Sequence, residues 1–151
     1  MRADYHVHTA FSDDSEYPME QVVQDAIAMG LEELCFTDHV DYGIKTDWDE
    51  PEPMHYCKGG PGEPDEIPLA NVDYPAYYEA FQKMRSLYGN RISLKLGLEF
   101  GMQSHTIQKY ETLFDRYPFD FILHSVHEVD DKEYWNQDIQ KGKTQNGYNR
   151  R

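Results

Sequence analysis

The chain has 151 residues, with 28 Asp and Glu against 14 Lys and Arg and a formal net charge of −14. That is one domain's worth of chain or part of a larger one, and 39% apolar with 14% aromatic residues excludes a disordered composition. The acidity argues against a nucleic-acid backbone or an anionic membrane surface as the main partner. No stretch approaches the roughly 18 apolar residues of a membrane span, and the N-terminus carries no apolar leader. The expectation is a soluble, cytoplasmic protein. Of the two cysteines, Cys35 sits in an apolar run and reads as a small core residue, while Cys57 falls in a loop.

Residues 3–8 predict a first strand. Alternation along it places Asp4, His6 and His8 on one face, and an acidic loop with Asp13 and Asp14 follows. Pro18 suits a first helical turn. Met19, Val22, Val23, Ala26 and Ile27 then fall on one helical stripe. Gly30 is placed for a left-handed cap. A second strand over 33–37 delivers Asp38 and His39, so the first two strands form a parallel βαβ unit.

Between 40 and 72 the pattern breaks, interrupted by Pro51, Pro53, Pro61, Pro64 and Pro68 and by Gly43, Gly59, Gly60 and Gly62. A structureless segment of this length is uncommon in a compact domain. It reads as an insertion loop facing the substrate, with His55 solvated inside it. Asp73 is a plausible N-cap for a helix carrying Tyr77, Phe81, Met84 and Tyr88, closed by Gly89-Asn90. Arg91 to Leu98 alternates as a third strand and ends in Glu99. Ile107, Tyr110, Phe114 and Tyr117 mark a third helix ended by Pro118, with His105 exposed or capping near its start. Residues 119–126 predict a fourth strand, which delivers His124 and His127. The rest is polar, contains Trp135, and offers a further helix start after Thr144.

Every predicted strand therefore ends in ligand-type residues: His6 and His8, then Asp38-His39, then Glu99, then His127 with His124 nearby. In a parallel sheet or barrel such ends gather on one rim. Imidazole and carboxylate without thiolate suit zinc, manganese or iron. A carboxylate can bridge two ions, and clustered ions can clamp a phosphate and activate water at neutral pH.

The His6-x-His8-Thr9 opening, Thr37-Asp38-His39, Gly97-Leu98-Glu99 and Ser125-Val126-His127 resemble the motifs of the polymerase and histidinol phosphatase (PHP) family, in its histidinol-phosphatase branch. The resemblance implies an α/β fold, a distorted TIM-like (β/α)₇ barrel of which this chain supplies about the first four βα units. It also implies a centre of three divalent ions that cleaves phosphate esters with a metal-bound hydroxide. By the same resemblance His6 and His8 bind the first metal, Asp14 rather than Asp13 and His39 the second, and His127 the third. Glu99 bridges the first and third. Glu99 and His39 act in catalysis through metal-held water. Asp4 and Asp38 stand behind the ligands and orient imidazoles, and His124 either stands behind the ligands too or serves the structure.

Family members run well beyond 151 residues, and their second half supplies a further His, a late Asp-x-His motif and the closing strands. The chain thus resembles the N-terminal part of a single such domain, its open edge met by a second copy or by the rest of a longer parent chain. The implied activity is hydrolysis of a small phosphorylated substrate, L-histidinol phosphate. Another phosphate ester such as a nucleotide, or a non-catalytic metal-binding fragment, are the competing readings.

Overall fold

The computed structural model describes residues 1–50, 57–58, 67–68, 70–134 and 139–148. Strand β1 (Ala3–Val7) leads through a polar loop to helix α1 (Met19–Ala28) and strand β2 (Glu33–Phe36), which β3 (His39–Val40) extends. Two short strands, β4 (Cys57–Lys58) and β5 (Ile67–Pro68), pair antiparallel with each other. Helix α2 (Tyr74–Tyr88) precedes β6 (Ser93–Gly101), α3 (Ile107–Phe114) precedes β7 (Phe121–Ser125), and α4 (Gln145–Tyr148) is a last short turn.

The main sheet is parallel throughout. β1 pairs with β2, with Ala3 opposite Glu33. β2 pairs with β6 from Glu33–Ser93 to Phe36–Leu96, and β3 continues along the same edge of β6 with His39 opposite Glu99. β7 covers the other edge, from Gly97–Phe121 to Gly101–Ser125. The sheet curls strongly: Tyr5 of β1 and Phe121 of β7 meet edge to face with ring centroids 5.1 Å apart. Four parallel strand positions curled in this way are the expected opening part of the barrel.

The helices pack on the sheet through the stripes their periodicity implies. Met19, Val22, Val23 and Ala26 of α1 and Tyr77, Phe81 and Met84 of α2 are buried with Leu34, Phe36, Leu94, Leu96 and Leu98 in one core. Gly30, at φ 76°, ends α1, with Gly30 N–H on Ile27 O and Leu31 N–H on Ala26 O, the paired bonds of a Schellman cap. Asp73 caps α2 by accepting from Ala76 N–H at 3.0 Å. The third helix differs from the periodic reading. It stops at Phe114, and its buried stripe is Tyr110 and Leu113. Phe114 is exposed and Tyr117 lies beyond the helix.

The segment over 40–72, expected as a loop, is built into the molecule at both ends. Val40, Tyr42, Ile44 and Val72 are core residues. Asp41 N–H donates to Asn71 Oδ1 at 2.9 Å, and Asn71 N–H to Thr46 O at 2.9 Å. The Tyr42 and Tyr74 hydroxyls both donate to Asp47. Cys57 stands in β4 rather than in a loop. His55 and Trp135 lie outside the described residues.

Candidate metal centre

Glu99 organises the site. It lies inside β6, which runs two residues further than the alternation suggested, and it is 2% exposed. Strand pairing sets β3 beside it and curvature brings β1 over it. His6 Nε2 and His8 Nε2 lie 3.0 and 2.9 Å from Glu99 Oε2, and His39 Nδ1 lies 3.5 Å from the same oxygen. His127 Nε2 is 3.0 Å from Oε1, which also accepts from the Ser125 hydroxyl. Asp14, on the loop after β1, places Oδ2 at 2.9 Å from His8 Nδ1 and 3.3 Å from His39 Nε2. All six residues expected as ligands are thus brought together. Asp13 is not among them and turns to Lys45.

An ionised carboxylate only accepts hydrogen bonds. Both ring nitrogens of His8 face carboxylates, and so do both of His127, whose Nδ1 lies 2.7 Å from Asp41 Oδ1. A neutral imidazole has one N–H and one lone pair, so each ring needs an added cation, either a proton or a metal ion. The electrostatics agree. Burial disfavours charge on His8, but hydrogen bonds to Asp14 and Glu99 outweigh it and hold its pKa up at about 9. At His127 burial is outweighed by Asp41 and Glu99, and the pKa stands at about 10. Burial would raise Glu99, yet hydrogen bonds with His127, His8 and Ser125 hold it well below the usual carboxylate range. Hydrogen bonds with His39 and then His8 do the same for Asp14.

Four groups among the described residues have the reach and chemistry of ion sites: His6, His8 and Glu99; His8, Asp14 and His39; His39, Glu99 and His127; and Asp41, His127 and Glu128, the last of which lies beside the other three and shares His127 with the third. Within each, one donor atom per residue lies within 4.8 Å of the others. His39 Nδ1 is buried with no hydrogen-bond partner among the described residues, as a ring nitrogen reserved for an ion would be. The residues therefore fit divalent metal.

Asp4 and Asp38 do not orient imidazoles as expected, and His124 takes the structural one of its two expected places. Asp4 is exposed and accepts from the backbone N–H of His6 at 3.1 Å, not from an imidazole. Asp38 is fully buried and raised by that burial, and it binds the loop after β1 rather than a ring. It accepts from Thr9 N–H at 2.6 Å and from the Thr9 and Ser12 hydroxyls, while Ser12 Oγ accepts from His39 N–H at 2.9 Å. Asp38 thus fixes the loop that carries Asp14. His124 is exposed and its ring stacks on Phe100, 6.3 Å between centroids. Alternation along β7 gives the inward place to Ser125. His105 is exposed and pairs with Asp131 at 2.9 Å.

Four further residues escape the sequence reading. Ser125 supports Glu99 and stands two positions before His127, a same-face spacing that could have found it. Asp41 stands two after His39 on the same logic, and His127 with Lys45 holds its pKa down at about 2 against the effect of burial. Lys45 reaches the site only because a turn at Gly43 folds it back, which periodicity does not reveal. Glu128 is 1% exposed, and neither carboxylate oxygen has a hydrogen-bond partner among the described residues. Burial, followed by Asp41, pushes its pKa up to about 8.

Residues 4–150 match the PHP domain family. The chain is 33% identical over 134 residues to the histidinol-phosphatase of Lactococcus lactis subsp. lactis, a match covering 89% of this chain and 42% of that protein. It is 25% identical over 140 residues to the probable histidinol-phosphatase of Clostridium acetobutylicum, covering 91% and 44%. The fold superimposes on the crystal structure of histidinol phosphate phosphatase from Lactococcus lactis, complexed with zinc, L-histidinol and phosphate. There the TM-score is 0.76 and the identity 30%, over 99% of this chain and 49% of that one. The chain spans less than half the length of these relatives. The family match runs over residues 4–150 and the fold match over 99% of the chain, and the chain belongs to the PHP domain family.

Proposed function

We propose that the full-length protein is a metal-dependent phosphomonoesterase that hydrolyses L-histidinol phosphate to L-histidinol and phosphate, a step of histidine biosynthesis. The observation that carries this reading is the convergence of His6, His8, His39 and His127 on the single carboxylate of Glu99. The relatives named histidinol-phosphatase, and the structure complexed with zinc, L-histidinol and phosphate, support the substrate.

In this reading His6 and His8 with Glu99 hold one ion, Asp14 and His39 a second, and Glu99 with His127 a third. Bound divalent ions would supply charge to neutralise the phosphate ester and lower the pKa of water. The chain's own residues set that chemistry up. Ser125 fixes one oxygen of Glu99 by donating to it. Asp41 accepts from His127 Nδ1 and so turns Nε2 toward Glu99. Asp38 holds the loop of Asp14 in register with His39. The acidic surroundings favour divalent ions of any of the three candidate metals, zinc, manganese or iron.

The test is phosphate release by the full-length protein, loaded in turn with each metal, from L-histidinol phosphate and from a nucleoside monophosphate. A preference for L-histidinol phosphate is expected. Equal rates on both esters would remove the substrate assignment. Ion binding without release from any ester would leave a metal-binding protein and no enzyme.

A further inference from the structure

A buried lysine adjoins the site with no part in the reading above. The Lys45 side chain is 3% exposed, and its Nζ donates to Asp13 Oδ1 at 2.8 Å and to Asp41 Oδ2 at 2.7 Å. A tight turn puts it there. Ile44 N–H and Lys45 N–H both donate to Asp41 O, and Gly43, at φ 105°, reverses the chain between them. Burying an ammonium is costly unless it is paired and hydrogen-bonded. Here burial disfavours the charge, but Asp41 and Asp13 outweigh it, and Lys45 stays protonated.

The two carboxylates it grips sit at the border of the ion cluster. Asp41 turns its other oxygen to His127 Nδ1, 2.7 Å away. Asp13 is the chain neighbour of Asp14, which meets His8 and His39. Released, either carboxylate could compete as a ligand. We propose that Lys45 is a positioning residue of the metal centre. Its ammonium holds Asp41 against His127 and Asp13 away from His8 and His39, so that His127 Nε2 and Asp14 face the ions. The inference rests on the metal-dependent reading above.

Two effects of Lys45 on ion binding oppose each other, and their signs separate the explanations. As a bare positive charge it repels cations, so its removal would tighten binding. As a positioning residue it orients a ligand, so its removal weakens binding. Losing a group that orients a metal-ligating His typically costs about 10–100-fold in metal affinity.

The experiment titrates zinc into metal-free full-length protein against a chelator of known affinity. Lys45→Met keeps chain length and removes the charge. One class of ion position should weaken by about tenfold or more, and Lys45→Arg should restore most of the loss. In an Asp41→Asn background Lys45→Met should add little, because contacting residues acting through one another are non-additive. If Lys45→Met fails to fold by circular dichroism, Asp41→Asn carries the test. Asn keeps an acceptor for His127 Nδ1 but loses the charge, and the same weakening is expected. Unchanged or tighter zinc binding in the folded variants would overturn the proposal. A wild-type protein that binds no zinc would instead overturn the metal-dependent reading beneath it.

Discussion

Glu99 is almost sealed in protein, yet four imidazoles and a hydroxyl surround its two oxygens. So many rings on one carboxylate call for added positive charge between them, which protons or, in the proposed reading, shared metal ions would supply. Glu99→Gln keeps the shape and removes the charge. In the full-length protein it should cut the proposed phosphatase turnover by at least about a hundredfold, beyond the cost of losing a residue that merely orients a ligand. Thermal unfolding of the metal-free protein should move far less. Unchanged turnover in a metal-loaded variant would contradict this role. Asp14, on the loop, came only through the family resemblance, whereas His6, His8, His39, Glu99 and His127 were legible because strand ends in a parallel sheet are read directly from sequence. The supporting residues were not. Asp38 and Asp4 lie beside His residues in sequence but bond to backbone and loop hydroxyls, and His124 loses its place to Ser125 by one step of strand alternation.

At the scale of elements, β6 is the spine of the sheet, with β2 and β3 on one edge and β7 on the other. Gly97 sits at its middle. A Cβ there would lie 2.7 Å from Phe36 O, 2.8 Å from Phe121 O and 2.9 Å from Cys35 Sγ, all closer than real contacts allow. Gly97→Ala must therefore push neighbouring strands apart, and overpacking of this kind typically costs about 1–3 kcal/mol. Urea unfolding should show that loss, and an unchanged midpoint would contradict the close strand approach. The positions of α1, α2, β1, β2, β6 and β7 followed from periodicity and the caps at Gly30 and Asp73 from residue type, whereas β4 and β5 fall in the stretch expected as a loop. The end of α3 did not, because Leu113 and Phe114 are both apolar and only packing decides which is buried. The ends of the 40–72 segment were also hidden, since their order comes from Asp47 and Asn71 bonding across the segment rather than from any local repeat.

At the scale of the whole molecule the charge cluster couples stability to pH. His8 and His127 carry folded pKa values of about 9 and 10 against an ordinary 6.5. Their contribution is complete below pH 6.5 and is lost as pH rises through 9 to 10. Glu128, raised to about 8 from 4.5, adds a loss that begins at pH 4.5 and is complete above pH 8. Glu99 and Asp14 are depressed, so their contribution is present above their ordinary values of 4.5 and 3.8 and is lost as pH falls below them. Metal-free protein should therefore be most stable near pH 4.5 to 5 and lose stability from there to about pH 10, most steeply above pH 6.5, and zinc should remove much of the fall above pH 6.5 by replacing the protons. A metal-free melting temperature that climbs from pH 6.5 to 9 would contradict these signs.

Among the described residues β1 pairs only with β2 and β7 only with β6, so both outer edges of the sheet present unpaired N–H and C=O groups. Val126 and Phe114 add exposed apolar surface near β7. Residues 1–151 expressed alone should associate in a concentration-dependent way in sedimentation, and a monodisperse monomer at high concentration would argue otherwise.

The most direct measurement is anomalous diffraction at a metal edge from crystals of the full-length protein grown with zinc. The expected result is anomalous density between His6, His8 and Glu99, beside Asp14 and His39, and beside His127, with all of it on the rim of the sheet. A fully ordered rim with no anomalous density near Glu99, under saturating zinc, would contradict a metal centre in this fold.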